Sequence, residues 1–313
     1  LKLLIAVVGP TASGKTNFAI ELAQRFETEI ISADARQVYR ELNIGTAKPT
    51  PQQLATVKHH FVSCQSVSQV FDAGSFEQQA LEVIRELFEK KDVVVLAGGS
   101  GLFVQAVCEG FDDIIPIDES VRENVIADFK QRGILFLQQE LKSVDPDYFE
   151  RVDTQNPMRL MRAVEVFRAS GKPYSSFRGN KAKKRDFAIT KIGLDLPREQ
   201  LYERINKRVD AMIKAGLEQE VRELQVYKDL IPLKTLGYTE FFDYFDGKIS
   251  LPTCIELIKR NSRRYAKRQL SWFRRDVQTK WLTNRGIDLF FDNIDFLDQK
   301  KFKILIENLA KKN

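Results

Sequence analysis

An α/β fold, with a parallel sheet flanked by helices and an all-helical subdomain inserted into it, is predicted by three observations. Short apolar runs alternate with amphipathic stretches over residues 1–100, strand-like alternation is nearly absent from Asp112 to Asp186, and it resumes at Phe187–Leu194. Strand and helix in alternation build a parallel sheet, whose ligands sit in the crevice at the carboxyl ends of the strands.

Taken in order, Leu3–Val8 is a buried strand that hands the chain to a helix over Asn17–Arg25. Glu29–Ser32 is the next strand, Ser75–Glu89 a helix and Val93–Ala97 a third strand. Helical periods then run between turn signals at Arg132-Gly133, Asp145-Pro146, Asn156-Pro157 and Gly171-Lys172-Pro173. Arg178–Arg185, with five basic residues in eight, reads as an exposed loop. After Leu194 come helices, extended pieces around Trp281 and over Leu289–Phe291, and a closing helix over Leu297–Ala310. The expected division is a discontinuous core, 1–111 with 187–313, and a helical insertion, 112–186.

The turn after the first strand is the feature richest in chemistry. Gly9, Pro10, Thr11, Ala12, Ser13, Gly14, Lys15 and Thr16 match G-x-x-x-x-G-K-[ST], and strand, loop and helix stand in the order a P-loop NTPase-like core requires. Backbone N–H groups of such a loop converge on an anion at a helix N-terminus, Lys15 adds charge, and Thr16 offers a hydroxyl to Mg²⁺. Nucleoside triphosphates are only the commonest occupant of such a cradle.

Asp34 follows the second strand and therefore enters the same crevice, where a carboxylate binds Mg²⁺, orients a substrate or accepts a proton; the plainer alternative is a turn aspartate. Arg36, Gln37 and Tyr39 supply donors beside it. The third strand ends in Ala97-Gly98-Gly99-Ser100 rather than in an acid, which argues against ATP hydrolysis. Glycines there permit close approach of backbone to a ligand or serve a tight turn.

Eight of the seventeen residues in Lys259–Arg275 are basic. At about 100° per residue, Ile255, Ile258, Tyr265, Ala266 and Phe273 share one arc, while Arg260, Arg264, Lys267, Arg268 and Arg275 share the opposite one. This is an amphipathic helix whose cationic face suits nucleic-acid phosphates, with Gln269 or Trp272 able to touch bases; the plainer alternative is a solvated charged face. In Arg204–Met212, Ile205, Val209 and Met212 face the core; Arg208 beside them reads alone as a surface arginine, and near the cradle it would neutralise a second phosphate or a leaving group.

The 313 residues, 43% of them hydrophobic, carry a net charge of +6, but the charge is unevenly divided. Residues 1–111 hold ten Lys/Arg against twelve Asp/Glu, so the basic excess lies in the remainder. The three cysteines are scattered and the two histidines adjoin each other, which supports neither a disulfide framework nor a zinc site. No apolar run approaches the ~20 residues of a membrane span, and the opening run is too short for a signal peptide. The expectation is a cytoplasmic protein with no membrane association.

Gly9–Thr16 as G-P-T-A-S-G-K-T, Ser32–Tyr39, Ile44–Pro49, Gly98–Leu102, Asn156–Arg159 and Lys267–Arg274 together resemble the tRNA dimethylallyltransferase family, from the first strand to about Arg275. Ala35 and Ser100 stand where serine and threonine are frequent in that family. No Cys/His zinc element of the eukaryotic members is found, so the resemblance is to the bacterial type. It implies transfer of a dimethylallyl group from dimethylallyl diphosphate to the exocyclic amine of the adenosine 3′-adjacent to the anticodon of tRNA.

The same resemblance implies site residues. Asp34 takes a hydrogen bond or proton from the adenine amine, Thr16 helps bind Mg²⁺, and Arg208 supports the diphosphate held by Gly9–Thr16. Contacts to tRNA fall to Asp34, Ala35, Arg36, Gln37 and Ser100, and to Arg122, Gln155, Asn156, Pro157, Met158 and Arg159 of an insertion gripping the anticodon arm. From the core side they fall to Lys234, Thr235, Leu236, Gly237, Tyr238 and Thr239, and to Lys267, Arg268, Gln269, Leu270, Ser271, Trp272, Phe273 and Arg274. No obligate protein partner is implied, and a monomer is expected. The rivals are a small-molecule kinase, an adenylate isopentenyltransferase and a non-enzymatic RNA-binding protein.

Overall fold

The computed structural model describes residues 2–69, 71–111, 117–178 and 183–293. These divide into two compact units, one of 1–108 with 185–313 and one of 109–184; the expected boundaries are 112 and 186.

In the first unit six strands form one parallel sheet in the order β3-β2-β4-β1-β5-β6: β1 (Leu3–Val8), β2 (Ile30–Ser32), β3 (His59–His60), β4 (Val93–Gly98), β5 (Ala188–Leu194) and β6 (Lys280–Leu282). Central β1 pairs with β4 from Leu3↔Val93 to Val8↔Gly98 and with β5 from Leu3↔Ala188 to Val8↔Gly193. Its residues alternate between two cores: Leu4, Ala6 and Val8 enter one, Leu3, Ile5 and Val7 the other. A strand buried on both faces needs an unbroken apolar sequence, which Leu3–Val8 is.

One face is covered by α1 (Lys15–Arg25), through Phe18, Ala19, Leu22 and Ala23. A short helix, α2 (Pro51–Thr56), precedes β3. The other face receives α3 (Ala73–Lys90), with Phe76, Ala80, Ile84 and Phe88 at helical spacing, and α4 (Gly101–Glu109).

The second unit contains α5 (Glu119–Val144), α6 (Pro146–Phe149) and α7 (Pro157–Ser170) around Val125, Leu137, Leu141, Leu160 and Val164. Its sequence turn signals act in different ways. Gly133 (φ 74°, ψ −173°) kinks α5, Asn156 and Pro157 start α7, and Gly171 ends it in the left-handed conformation. Buried Asp145 accepts the Tyr148 and Ser175 amides at 3.0 and 2.6 Å, and Arg168 bridges Glu140 and Asp128, each at 2.7 Å.

Back in the first unit follow α8 (Arg198–Lys214), α9 (Leu217–Glu223), α10 (Tyr238–Phe245), α11 (Leu251–Phe273) and α12 (Asn284–Asn293). Two sequence expectations change, and one strand is added. Leu289–Phe291 is helical, not extended, because Phe290 and Phe291 close on Phe18 with ring centroids 5.4 and 4.9 Å away. The edge strand His59–His60 is only two residues long, so no alternation announces it. Arg185 is not part of an exposed loop; its guanidinium binds Glu77 at 2.8 Å and the Ala106 carbonyl at 2.6 Å. The expected helix over Leu297–Ala310 lies outside the described residues.

Candidate active site

The loop after β1 can bend as it does because Gly9 and Gly14 adopt φ of 147° and 94°. A Cβ on Gly9 would also press on the Leu194 carbonyl at 3.1 Å. Gly14 caps α1 without any side-chain acceptor, so the first amides of the helix remain directed at the loop's concavity. Lys15 arches back and donates to the Pro10 carbonyl at 2.7 Å, while Arg208 donates to Thr11 Oγ1 at 3.1 Å. Buried Ser13 Oγ has no hydrogen-bond partner among the described residues.

Two cations next to one loop oppose each other. Burial, and then the charge of Arg208, bring the Lys15 pKa down to about 8, with Asp34 acting in the other direction. Burial likewise holds Arg208 below the ordinary arginine range, again against the pull of Asp34. With both cations desolvated beside one loop, an anionic ligand relieves their repulsion.

Asp34 sits in the turn leaving β2, where its Oδ1 accepts the amides of Arg36 at 2.9 Å and Gln37 at 3.3 Å. It is a turn aspartate and a cavity residue at once. Ser100 Oγ accepts the Ala35 amide at 2.9 Å, and the Ser100 amide donates to the Ala33 carbonyl at 3.2 Å, which laces the ends of β2 and β4 together. Gly98 and Gly99 both line the cavity and pack closely against their neighbours. A Cβ on Gly98 would collide with the Ala33 backbone, and one on Gly99 with the Gln269 amide.

These groups surround a cavity of about 560 Å³, within the ordinary range for small-ligand sites. Its polar wall carries Thr11, Lys15, Thr16, Asp34, Arg208 and Ser100; Ile205, Val209 and Met212 of α8 and Ile258 of α11 supply apolar surface. Ala35, Arg36, Gln37, Lys234, Thr235, Leu236, Gly237, Thr239, Arg268 and Gln269 line it as well. Gln37 Nε2 is committed to the Thr46 and Ala47 carbonyls, each at 3.1 Å. Tyr265, which sequence reasoning passed over as a core residue, also lines the cavity, and burial together with Asp34's charge pushes its phenol to about 12. Its position four residues before Gln269, on one side of a helix, was the available signal.

Other expected contacts lie elsewhere. Tyr238 and Phe273 are buried in the core and have no surface to offer a nucleic acid. Lys267, Leu270 and Arg274 line a separate groove with Asp195 and Tyr202. Ser271 and Trp272 are exposed, the indole standing over Gly101. On α11 the outer arc Arg260, Arg264, Lys267, Arg268 and Arg275 is exposed as the periodicity implies. Lys259 and Arg263 belong instead to the packing, tied to Asp210 at 2.8 Å and Asn206 at 2.6 Å on α8.

In the second unit Asn156 caps α7 by accepting the Arg159 amide at 3.3 Å, and Pro157 takes its first position. Gln155, Met158 and Arg159 are exposed there. Arg122 stands 3.9 Å from the buried carboxylate of Glu165.

Residues 37–276 match the family model described as IPP transferase. The chain is 48% identical over 280 residues to the tRNA dimethylallyltransferase of Cytophaga hutchinsonii, covering 90% of this chain and 92% of that one. It is 48% identical over 287 residues to the enzyme of that name from Flavobacterium johnsoniae, covering 90% and 93%. Among solved structures, the tRNA isopentenylpyrophosphate transferase of Bacillus halodurans aligns with a TM-score of 0.68 and 36% identity over 100% of this chain and 99% of the other. With its phosphate loop, parallel sheet and inserted helical unit, the chain belongs to the IPP transferase family, in its bacterial form.

Proposed function

We propose that the protein transfers the dimethylallyl group of dimethylallyl diphosphate to the N6 amine of the adenosine 3′-adjacent to the anticodon in tRNA. The observation that carries this reading is one cavity in which the phosphate loop, an apolar helix face and the Asp34 carboxylate meet. A prenyl diphosphate needs the first two, and an amine nucleophile needs the third.

In this reaction a bond forms between N6 and C1 of the prenyl group while the C1–O bond to the diphosphate breaks. The loop amides, Lys15 and Arg208 stabilise the charge gathering on the departing diphosphate. Asp34 accepts the hydrogen bond, and then the proton, of the amine. Its Oδ1 is anchored by two backbone amides, which leaves Oδ2 to serve the amine. Tyr265 and Ile258, which line the cavity, offer surface to an adenine, and Ile205, Val209 and Met212 supply the apolar wall that would keep water from the reacting carbon.

Among the described residues no group of three His, Cys, Asp or Glu forms a metal cage. Mg²⁺ with a diphosphate does not need one, because it retains several waters and takes one or two protein oxygens. Thr16 Oγ1, on the cavity wall, fits that role. When bound, Mg²⁺ neutralises part of the diphosphate charge.

For tRNA itself, the exposed arc of α11 supplies phosphate contacts, with Gln155, Met158 and Arg159 contributing from the helical unit. The target base leaves its stack to reach a recessed site, which costs a few kcal/mol and least in a loop. Among the described residues no helix is long and apolar enough to cross a membrane.

The test is incubation with labelled dimethylallyl diphosphate, Mg²⁺ and either unmodified tRNA or AMP. Label on tRNA alone is expected. Label on AMP alone would favour an adenylate prenyltransferase, and turnover of ATP with no label transferred would favour a kinase.

A further inference from the structure

Glu220, on α9, lies outside every motif of the sequence, yet its carboxylate has all four acceptor positions filled. Oε2 accepts the amides of Asn43 and Ile44 at 3.1 and 2.7 Å; Oε1 accepts the Gly45 amide at 3.0 Å and the Tyr238 hydroxyl at 2.7 Å. Three consecutive backbone donors converging on one carboxylate form an anion nest, here occupied by a side chain of the same chain. Charge-assisted bonds of this kind are the strong ones.

The segment so gripped forms a wall of the cavity through Gly45, Thr46 and Ala47. Gly45 must be glycine because a Cβ would meet the Tyr238 ring at 2.5 Å. Ala47 holds a left-handed φ of 46°, which persists only where the surroundings impose it. Lys48 closes the segment from its far end, donating to the Tyr39 carbonyl at 2.6 Å and to Asn43 Oδ1 at 2.9 Å. The carbonyls of Thr46 and Ala47 in turn hold the Gln37 amide, and Gln37 shares with Asp34 the turn after β2. A chain of bonds thus runs from Glu220 through residues 43–47 to Gln37.

We propose that Glu220 is a positioning residue for prenyl transfer: its carboxylate, with the Tyr238 hydroxyl, fixes the 43–47 segment and so aligns Gln37, and through that turn Asp34, on the adenine. This rests on the reading of Gln37 as a tRNA contact given above. It also gives Tyr238 a buried bracing task in place of a contact to nucleic acid. The phosphate loop is held by other groups, so the effect of Glu220 is confined to the acceptor side.

The test uses the full chain with Glu220→Gln, Tyr238→Phe, Gln37→Ala and the double variant Glu220→Gln/Gln37→Ala, assayed well below their melting temperatures. Glu220→Gln is expected to lower kcat/KM for tRNA about ten- to hundredfold, and Tyr238→Phe a few-fold, with the Kd for dimethylallyl diphosphate unchanged. The double variant should be scarcely worse than Gln37→Ala alone. Additive losses, an equal loss of diphosphate affinity, or a deficit that vanishes on cooling would overturn the proposal and leave Glu220 a merely structural residue. An unimpaired Gln37→Ala would overturn the reading of Gln37 and this proposal with it, whereas an impaired Gln37→Ala beside an unimpaired Glu220→Gln would overturn this proposal alone. If Glu220→Gln does not fold, Tyr238→Phe decides: unchanged tRNA kinetics would contradict the proposal.

Discussion

Gln269 accepts the backbone amide of Thr11 at 2.8 Å and, with its other side-chain atom, donates to the Gly99 carbonyl at 2.8 Å. The helix that carries the cationic arc is thereby joined to the phosphate loop and to the end of β4. Gln269→Ala leaves both backbone groups to find new partners, and should weaken inorganic diphosphate binding about tenfold. Glu at this position keeps an acceptor for Thr11 but brings a negative charge near the bound anion, so its loss should be greater. Equilibrium titration of the two variants with diphosphate checks the order.

Lys15, at about 8, gives a pH signature. Burial lowers its pKa in the free protein, and an anion at the loop raises it again. Binding of dimethylallyl diphosphate, whose own phosphates are fully ionised there, therefore takes up a proton at pH values above about 8 and below the pKa of the complex. Calorimetry at pH 8.5 in buffers of different ionisation enthalpy should show this uptake; a buffer-independent heat would contradict it. The folding sign is the reverse of that for a paired lysine. The penalty for the buried charge is present below about pH 8 and relieved as pH rises toward the ordinary value of 10.5, so Lys15→Met should stabilise the free protein at neutral pH. Its turnover should fall at least about a hundredfold.

Asp34→Asn separates the turn from the chemistry. An asparagine Oδ1 still accepts the Arg36 and Gln37 amides, so melting temperature and tRNA affinity should change little. Loss of the proton acceptor should lower kcat about 10²–10⁴-fold. Comparable losses in tRNA affinity and kcat would show that the carboxylate mainly shapes the turn.

Reversing the charge of Arg264 or Lys267, both on the exposed arc of α11, should weaken tRNA binding and reduce the slope of log K against log salt by about one or more. An unchanged slope would mark these residues as a solvated surface. Neither substitution should alter the affinity for dimethylallyl diphosphate.

Gly98→Ala tests the junction of β2 with β4, where a Cβ would overlap the Ala33 backbone. Overpacking against backbone should cost about 1–3 kcal/mol or more in denaturant unfolding. Gly133→Ala, whose Cβ would meet nothing within 4 Å, carries only the left-handed φ of 74° and should cost about 1–2 kcal/mol.

What the sequence made legible follows from how local each determinant is. Leu3–Val8 and the loop to Thr16 are self-contained: apolar strand, obligatory glycines and helix start are adjacent in the chain, and the strand is found between those same residues. The outer arc of α11 was readable because a helix of 23 residues displays its period many times. The inner face is less legible, since Gln269 and Tyr265 differ from core residues only in what other elements bring beside them. Glu220 left no trace at all, as its three backbone donors lie some 175 positions away. Phe290 and Phe291 misled because two adjacent aromatics suit either a short strand or a helix, and only Phe18 decides between them.

In the proposed reaction the anion in the phosphate loop is a leaving group. Dimethylallyl diphosphate labelled with carbon in the prenyl chain and phosphorus in the diphosphate tests it in one reaction with unmodified tRNA. Carbon label on the tRNA and one intact diphosphate released for each prenyl group transferred are expected, with no orthophosphate formed. Phosphorus label carried onto the tRNA, or orthophosphate released with no carbon transferred, would contradict it.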